Sequence, residues 1–128
     1  MTSSLPITLS ISFADPSGCS GIQADVQTFA SLGCHPLSVI TGISVADTRG
    51  QVEFHPVETE WVIEQARYLL EDMSVSAFKI GHVGSIETAM ALAEIAADYP
   101  DTPLVLDPAL GHGGDLATAV GADQGDKL

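Results

Sequence analysis

The sequence predicts an α/β fold, with a mostly parallel sheet and helices on both of its faces. Strand-like and helix-like segments alternate along the chain, beginning with the apolar run Ile7 to Phe13 and the helical pattern Ser20 to Leu32. Repeated β-α-β units of this kind make consecutive strands parallel and send the connecting helices across the sheet. With 128 residues, the chain is long enough for one domain, and its 45% hydrophobic residues are enough to form a core.

The first half of the chain predicts a strand, a helix, a second strand and a short extra strand. The apolar face of the first helix is formed by Ile22, Val26, Phe29 and Ala30. Gly33 follows at the position where helices commonly end. Leu37 to Val45 is rich in β-branched residues and predicts a strand. Residues 46–57, with Gly50 and alternating Val52 and Phe54, predict a turn and the extra strand.

The second half predicts two further helices and two further strands. Thr59 is placed to cap a helix whose apolar face is Val62, Ala66, Leu69, Leu70 and Met73. Ala77 to Ile80 and Leu104 to Leu106 predict the strands, and Pro108 stops the second of them. Ser85 is placed to cap the intervening helix, with the face Ala89, Met90, Ala93 and Ala97. We expect residues 1–108 to form the α/β domain and the Gly/Ala/Asp-rich residues 109–128 to form a mobile tail.

The charge and cysteine content exclude several classes of partner. Seventeen acidic and four basic residues give a net charge of −13, which argues against nucleic acid and anionic membranes as partners. No apolar stretch is long enough to span a bilayer and no export signal is evident, so we expect a cytoplasmic protein. Cys19 and Cys34 lie at opposite ends of the first helix, too far apart for a disulfide.

The segment Asp15 to Gly21, between the first strand and the first helix, is the best candidate for a binding loop. Gly18 and Gly21 let the backbone pass close to a ligand, and the helix N-terminus behind them favours polar groups. Ser20 followed by Gln23 predicts a capping box. Asp15 is placed to accept a hydrogen bond from a ligand hydroxyl. A tight strand-helix turn without a ligand is the alternative interpretation.

This loop, with its flanking strand and helix, resembles the hydroxymethylpyrimidine/phosphomethylpyrimidine kinases of thiamine biosynthesis, which belong to the ribokinase-like superfamily. Four further stretches match in the same order: Thr28 to Gly33, Ser38 to Thr41, Phe78 to Gly81 and Leu104 to Pro108. The resemblance covers roughly positions 7 to 108. It implies the N-terminal half of a ribokinase-like domain, ending after about the fourth strand.

The resemblance also implies a set of substrate-binding residues: Asp15, Gly18, Ser20, Gly21, Ala46 and His82. Asp107 is implied to lie on the side of the transferred phosphate and its magnesium. The chain departs from the family at several positions. Ser20 replaces the usual alanine and Ala109 the usual valine, and three further departures change the pocket. Ala46 replaces a glutamine that reads the pyrimidine, His82 replaces an apolar residue that packs on the ring, and Phe13 replaces a tiny residue. Each of Ala46, His82 and Asp107 also has a purely structural interpretation, as a turn residue, a hydrogen-bonded histidine and a turn cap.

The family implies ATP and Mg²⁺ as cofactors and a small pyrimidine alcohol as the substrate. In the family the catalytic base lies in the second half, beyond Leu128, so no catalytic residue is expected in this sequence. The histidines and aspartates show no metal-ligand spacing, so no dedicated metal site is expected. Three interpretations stay open: a thiamine-pathway kinase, a non-catalytic binding or assembly module, and an inactive truncated paralogue. We also expect either self-association into a homo-oligomer or a missing C-terminal half.

Overall fold

The computed structural model describes residues 5–107, and these residues form the predicted α/β architecture. The elements are β1 (Ile7–Ala14), α1 (Gly21–Ser31), β2 (His35–Asp47), β3 (Gly50–Pro56), α2 (Thr59–Asp72), β4 (Ala77–Ile80), α3 (Ile86–Ala97) and β5 (Leu104–Leu106). The five strands form one sheet in the order β3-β2-β1-β4-β5, parallel except for the β2–β3 hairpin. The predicted tail, residues 109–128, and the predicted stop at Pro108 lie outside the described residues.

The central strand β1 is covered on both faces, which confirms the prediction of helices on both sides of the sheet. Leu9 and Ile11 belong to the main apolar core, which the sheet shares with α2 and α3. The alternate residues of β1 point to the opposite face, where α1 packs and where Ser10 is fully buried. The apolar core therefore lies on one side of the sheet, and a more polar layer lies on the side of α1.

Helices α2 and α3 pack on the same face of the sheet, and the sequence predicted only one of them well. The predicted face of α2 is confirmed, because Val62, Ala66 and Leu70 are buried. The predicted face of α3 is wrong: the buried residues are Thr88, Leu92 and Ile95, whereas Met90 is 66% exposed. Helix α3 is rich in alanine and apolar around most of its circumference, so hydrophobic periodicity does not select one face.

The start of α3 and the end of α1 agree with the sequence-based predictions, whereas the start of α2 does not. Ser85 caps α3 as predicted, and its Oγ accepts a hydrogen bond from the Thr88 N–H at 3.1 Å. Leu32 closes α1, and Gly33 follows with a φ of +83°. The prediction that Thr59 caps α2 is wrong, because Glu58 occupies that position. The Thr59 hydroxyl instead lies 2.8 Å from the Thr88 hydroxyl and links α2 to α3.

No helix within residues 5–107 is long and apolar enough to cross a membrane. Cys19 and Cys34 are both free thiols, as predicted.

Candidate substrate-binding site

The loop between β1 and α1 is organised around one buried carboxylate. Asp15 is only 5% exposed. Its Oδ1 accepts hydrogen bonds from the backbone N–H and the hydroxyl of Ser17, at 3.0 and 2.8 Å. Its Oδ2 accepts from the backbone N–H and the hydroxyl of Ser20, at 3.1 and 2.9 Å. A carboxylate offers about four lone-pair sites, so the donors of the loop itself engage all of them.

These hydrogen bonds decide the charge of Asp15. Burial alone raises the pKa of this carboxyl, but the four donors from Ser17 and Ser20 favour the ionised form and outweigh burial. The pKa of Asp15 consequently lies below its ordinary value of 3.8. Asp15 is therefore an ionised centre that holds the loop in shape. Its direct bond to a ligand hydroxyl stays a prediction, and it requires one of the four donors to move.

The predicted capping box at Ser20 and Gln23 is wrong. Ser20 occupies the N-cap position of α1, but its side chain makes no capping hydrogen bond. Its hydroxyl donates to Asp15 instead, and the Gln23 Oε1 accepts from the Asp15 backbone N–H at 2.8 Å. The nearby Asp15 carboxylate is charged and accepts more strongly than a neutral group, so the Ser20 hydroxyl donates to it instead of capping the helix. Both residues consequently tie the first turn of α1 to the end of β1.

Two glycines of this loop adopt backbone conformations that other residues rarely take. Gly18 has a φ of +75° and its N–H donates to the Asp15 carbonyl at 3.0 Å, which closes the turn. Gly21 has a φ of +70°, and a Cβ there would lie 2.5 Å from the Phe13 carbonyl oxygen. Gly21 thus lets the start of α1 lie directly against the end of β1.

Three aromatic side chains meet beside this loop. The Phe13 ring packs against Gly21, and its centroid lies 5.5 Å from that of the His82 ring. The Phe54 ring, from β3, lies 4.6 Å from the His82 ring and 6.2 Å from the Phe13 ring, measured between centroids. We call these three residues the aromatic cluster. It forms an apolar wall beside the polar loop, at the end of the sheet where β1 and β4 finish.

His82 is buried within this cluster and is only 3% exposed. Burial disfavours its charged form and lowers its pKa from 6.5 to about 4, so the imidazole is neutral near pH 7. Its backbone carbonyl accepts a hydrogen bond from the Thr41 hydroxyl at 2.7 Å. Its side-chain Nε2 is buried and has no hydrogen-bond partner among residues 5–107. The structure therefore does not show the fully hydrogen-bonded side chain that a purely structural histidine usually has.

Ala46 and Asp107 lie at two other points of the same end of the sheet. Ala46 is half-buried on the β2–β3 hairpin, where it is paired with Gln51 next to a register shift. It lies three residues beyond Ile43, which is the last β2 residue paired with β1. Asp107 directly follows β5, its side chain is 52% exposed, and its Oδ2 lies 3.6 Å from the Lys79 Nζ. Within residues 5–107, no group of three or more His, Cys, Asp or Glu side chains is arranged to hold a metal ion.

Comparison with known proteins identifies the family. A family model described as phosphomethylpyrimidine kinase matches residues 15–122, which include the whole Asp15–Gly21 loop and the strands β2, β3, β4 and β5. The chain belongs to the phosphomethylpyrimidine kinase family. The suspected resemblance and the α/β fold class are thereby confirmed.

Relatives in this family are named hydroxymethylpyrimidine/phosphomethylpyrimidine kinases. The hydroxymethylpyrimidine/phosphomethylpyrimidine kinase of Streptomyces coelicolor is 36% identical over 103 residues, covering 80% of this chain and 38% of the relative. That of Rhizobium meliloti is 43% identical over 88 residues, covering 69% and 33%. The crystal structure of phosphomethylpyrimidine kinase from Clostridium difficile 630 superposes with a TM-score of 0.76 at 35% identity, covering 80% and 44%. The chain thus spans less than half the length of each of these relatives.

Sequence reasoning missed one cluster of this family member, formed by Ser10, Asp25 and Lys79 next to the predicted residue Asp107. The Lys79 ammonium, on β4, forms an ion pair with the buried Asp25 carboxylate of α1. The Ser10 hydroxyl donates to the other oxygen of Asp25. A signal was available in the sequence, because a lysine within the apolar strand Ala77–Ile80 requires a buried acidic partner.

Proposed function

We propose that this chain binds a pyrimidine alcohol, hydroxymethylpyrimidine or its monophosphate, at the carboxyl end of its sheet. In this proposal it is the substrate-side part of an ATP-dependent kinase of thiamine biosynthesis. The observation that carries the proposal is the Asp15–Gly21 loop, because an ionised, fully hydrogen-bonded carboxylate fixes its shape next to the aromatic cluster. The family match over residues 15–122 supports the same proposal.

The geometry suits the binding of a flat, polar, uncharged ring. Aromatic side chains form one wall of the site, and hydroxyls and backbone amides form the other. Phosphoryl transfer depends chiefly on positioning the hydroxyl and stabilising charge, rather than on covalent chemistry by the protein. The contribution we propose for these residues is therefore to bind and orient the alcohol.

ATP and Mg²⁺ belong to the proposal for the complete reaction. Mg²⁺ is commonly bound through one or two carboxylates together with substrate phosphates. Asp107 fits this role, because its half-exposed carboxylate is at the end of β5 and is only loosely paired with Lys79 at 3.6 Å. We propose that Asp107 faces the phosphate and its magnesium. The free thiols of Cys19 and Cys34 support a cytoplasmic location.

Calorimetric titration with hydroxymethylpyrimidine tests the proposal. We expect the wild-type chain to bind the pyrimidine and Asp15→Asn to bind about tenfold or more weakly, because the loop loses its ionised acceptor. Asp98→Asn is the matched control, since Asp98 pairs with Arg67 at the far end of α3 and should leave binding unchanged. Absence of binding by the wild-type chain, or equal binding by Asp15→Asn, contradicts the proposal.

A further inference from the structure

We propose that the side chain of His82 makes a direct hydrogen bond to the ring of the bound pyrimidine and thereby determines which ring the site accepts. This inference rests on the proposed function, because it assigns a specificity-determining residue to the same site. It starts from an unsatisfied group. The His82 Nε2 is buried and has no hydrogen-bond partner among residues 5–107, although buried polar atoms in native proteins are nearly always paired.

The surroundings of the imidazole place His82 beside the candidate site. His82 contacts Phe13, and the Phe13 ring in turn packs against Gly21 of the binding loop. Phe54 lies against the other side of the imidazole, at a tilt of 41°. Only the Phe13 side chain therefore separates the binding loop from His82 at this point.

Access to the nitrogen requires one ring of the cluster to move, and Phe54 is more exposed than Phe13. Phe13 is on the central strand β1 and is only 3% exposed. Phe54 is half-buried on β3, which within residues 5–107 is an edge strand paired with β2, and its ring lies against Gly42 of β2. When the Phe54 ring moves aside, a flat heteroaromatic ring can approach the edge of the imidazole, where a hydrogen bond to Nε2 lies in the plane of the ring.

The chemistry of the imidazole defines the ligand class. In its neutral form the ring carries one donor and one acceptor nitrogen, and its tautomer adapts to the partner. An aminopyrimidine presents ring-nitrogen acceptors next to an amino donor, so it can satisfy Nε2 in either tautomer. A carbocyclic alcohol of the same shape offers no such group and leaves the nitrogen unpaired, which a buried site rejects.

The experiment compares hydroxymethylpyrimidine with its carbocyclic analogue, in which carbon replaces the ring nitrogens and the amino group. We expect His82→Leu to bind the pyrimidine about five- to tenfold more weakly than wild type, with little change for the analogue. His82→Gln retains a polar group and should keep most of the discrimination. His55→Leu is the matched control, because His55 is an exposed histidine on the same strand as Phe54 and pairs with Glu53.

Nitrogen-15 NMR of the wild-type chain with labelled histidine measures a His82 resonance that would not change on ligand addition if His82 had only a structural role. We expect the His82 Nε2 resonance to shift on addition of the pyrimidine and to stay in place with the analogue. Pyrimidine binding with an unmoved resonance and equal affinity in His82→Leu overturns the inference and leaves the proposed function intact. If wild type does not bind the pyrimidine at all, the proposed function fails, and this inference fails with it.

Discussion

Asp15 and His82 are both almost fully buried, yet folding keeps the first charged and the second neutral. The difference lies in their neighbours. Asp15 is surrounded by four donors that favour its carboxylate, whereas His82 is surrounded by two aromatic rings that offer no charge or acceptor. Burial by itself disfavours a charged form, and only specific hydrogen bonds reverse that preference.

The neutral state of His82 predicts a pH dependence of stability. The pKa of His82 is about 4 in the folded chain and near 6.5 when unfolded, so between these values the unfolded chain binds the proton and the folded chain does not. Stability from this group is therefore complete above about pH 6.5 and is lost as the pH falls towards 4. Between pH 7 and pH 5 the free energy of unfolding falls by about 2 kcal/mol through this group.

Urea unfolding at both pH values should show this loss in wild type, and His82→Leu should show a correspondingly smaller change. Equal pH dependence in the two proteins contradicts the prediction.

At the residue scale, the sequence allowed prediction wherever the partner of a side chain was local. Ser85 caps α3 because the amide it binds is three residues away. Ser20 and Thr59 carry the same kind of signal, but each finds a partner elsewhere, Ser20 at the Asp15 carboxylate and Thr59 at the hydroxyl of Thr88. Such choices depend on which elements meet in space, and a local pattern does not contain that information.

At the scale of elements, the junction between β1 and α1 depends on two glycines with similar φ angles and different surroundings. A Cβ on Gly18 meets no atom within 4 Å, whereas a Cβ on Gly21 lies 2.5 Å from the Phe13 carbonyl oxygen. The two positions therefore separate the conformational cost of a left-handed residue from the cost of a steric clash.

We expect Gly18→Ala to destabilise the chain by about 1 kcal/mol and Gly21→Ala to destabilise it by at least about 2 kcal/mol, because only the second adds a clash to the backbone strain. Chemical denaturation of both variants measures the difference. Gly21→Ala should also weaken pyrimidine binding, since the loop must move away from β1. Similar free energies of unfolding for the two variants contradict the proposed tight contact.

The elements themselves were largely predictable, and the faces they bury were less so. Helix α2 alternates large apolar and charged residues, so its periodicity identified Val62, Ala66 and Leu70 as buried. Helix α1 buries Ile22 together with Asp25, a charged residue whose partner Lys79 comes from a distant strand. A buried ion pair of this kind cannot be recognised from either segment alone.

At the scale of the whole molecule, one edge of the sheet exposes apolar side chains to solvent. Strand β5 is an edge strand, and its residues Leu104, Val105 and Leu106 are 45 to 66% exposed. Within the part of the chain that the structure describes, no element lies beyond β5 in the sheet. Exposed edges of this type pair readily with further strands.

We predict that the chain self-associates through this edge. Sedimentation velocity should show concentration-dependent association of wild type, and Val105→Lys should weaken that association roughly fivefold or more by placing a charge on the edge. Leu32→Lys is the control, because Leu32 is 72% exposed but lies at the end of α1. A wild-type monomer at all concentrations contradicts the prediction.

We also predict that a polypeptide of these 128 residues binds hydroxymethylpyrimidine without phosphorylating it. It spans 38% of the Streptomyces coelicolor relative, and the family resemblance places the nucleotide pocket and the hydroxyl-activating residue in the remainder. A coupled assay of ADP release, with that relative as the positive control, measures this. Pyrimidine-dependent turnover by the polypeptide alone contradicts the prediction.

The position of β1 at the centre of the sheet has a consequence for the order in which the protein is made. The pairing of β1 with β2 joins Ile7 to His35, whereas its pairing with β4 joins Thr8 to Ala77. A ribosome releases β1, α1, β2 and β3 before β4 exists, so half of the sheet can close early. Until α2 emerges, Leu9 and Val39 remain uncovered on that half-sheet. The nascent chain therefore passes through a stage with an open apolar surface, which is the kind of surface that chaperones bind.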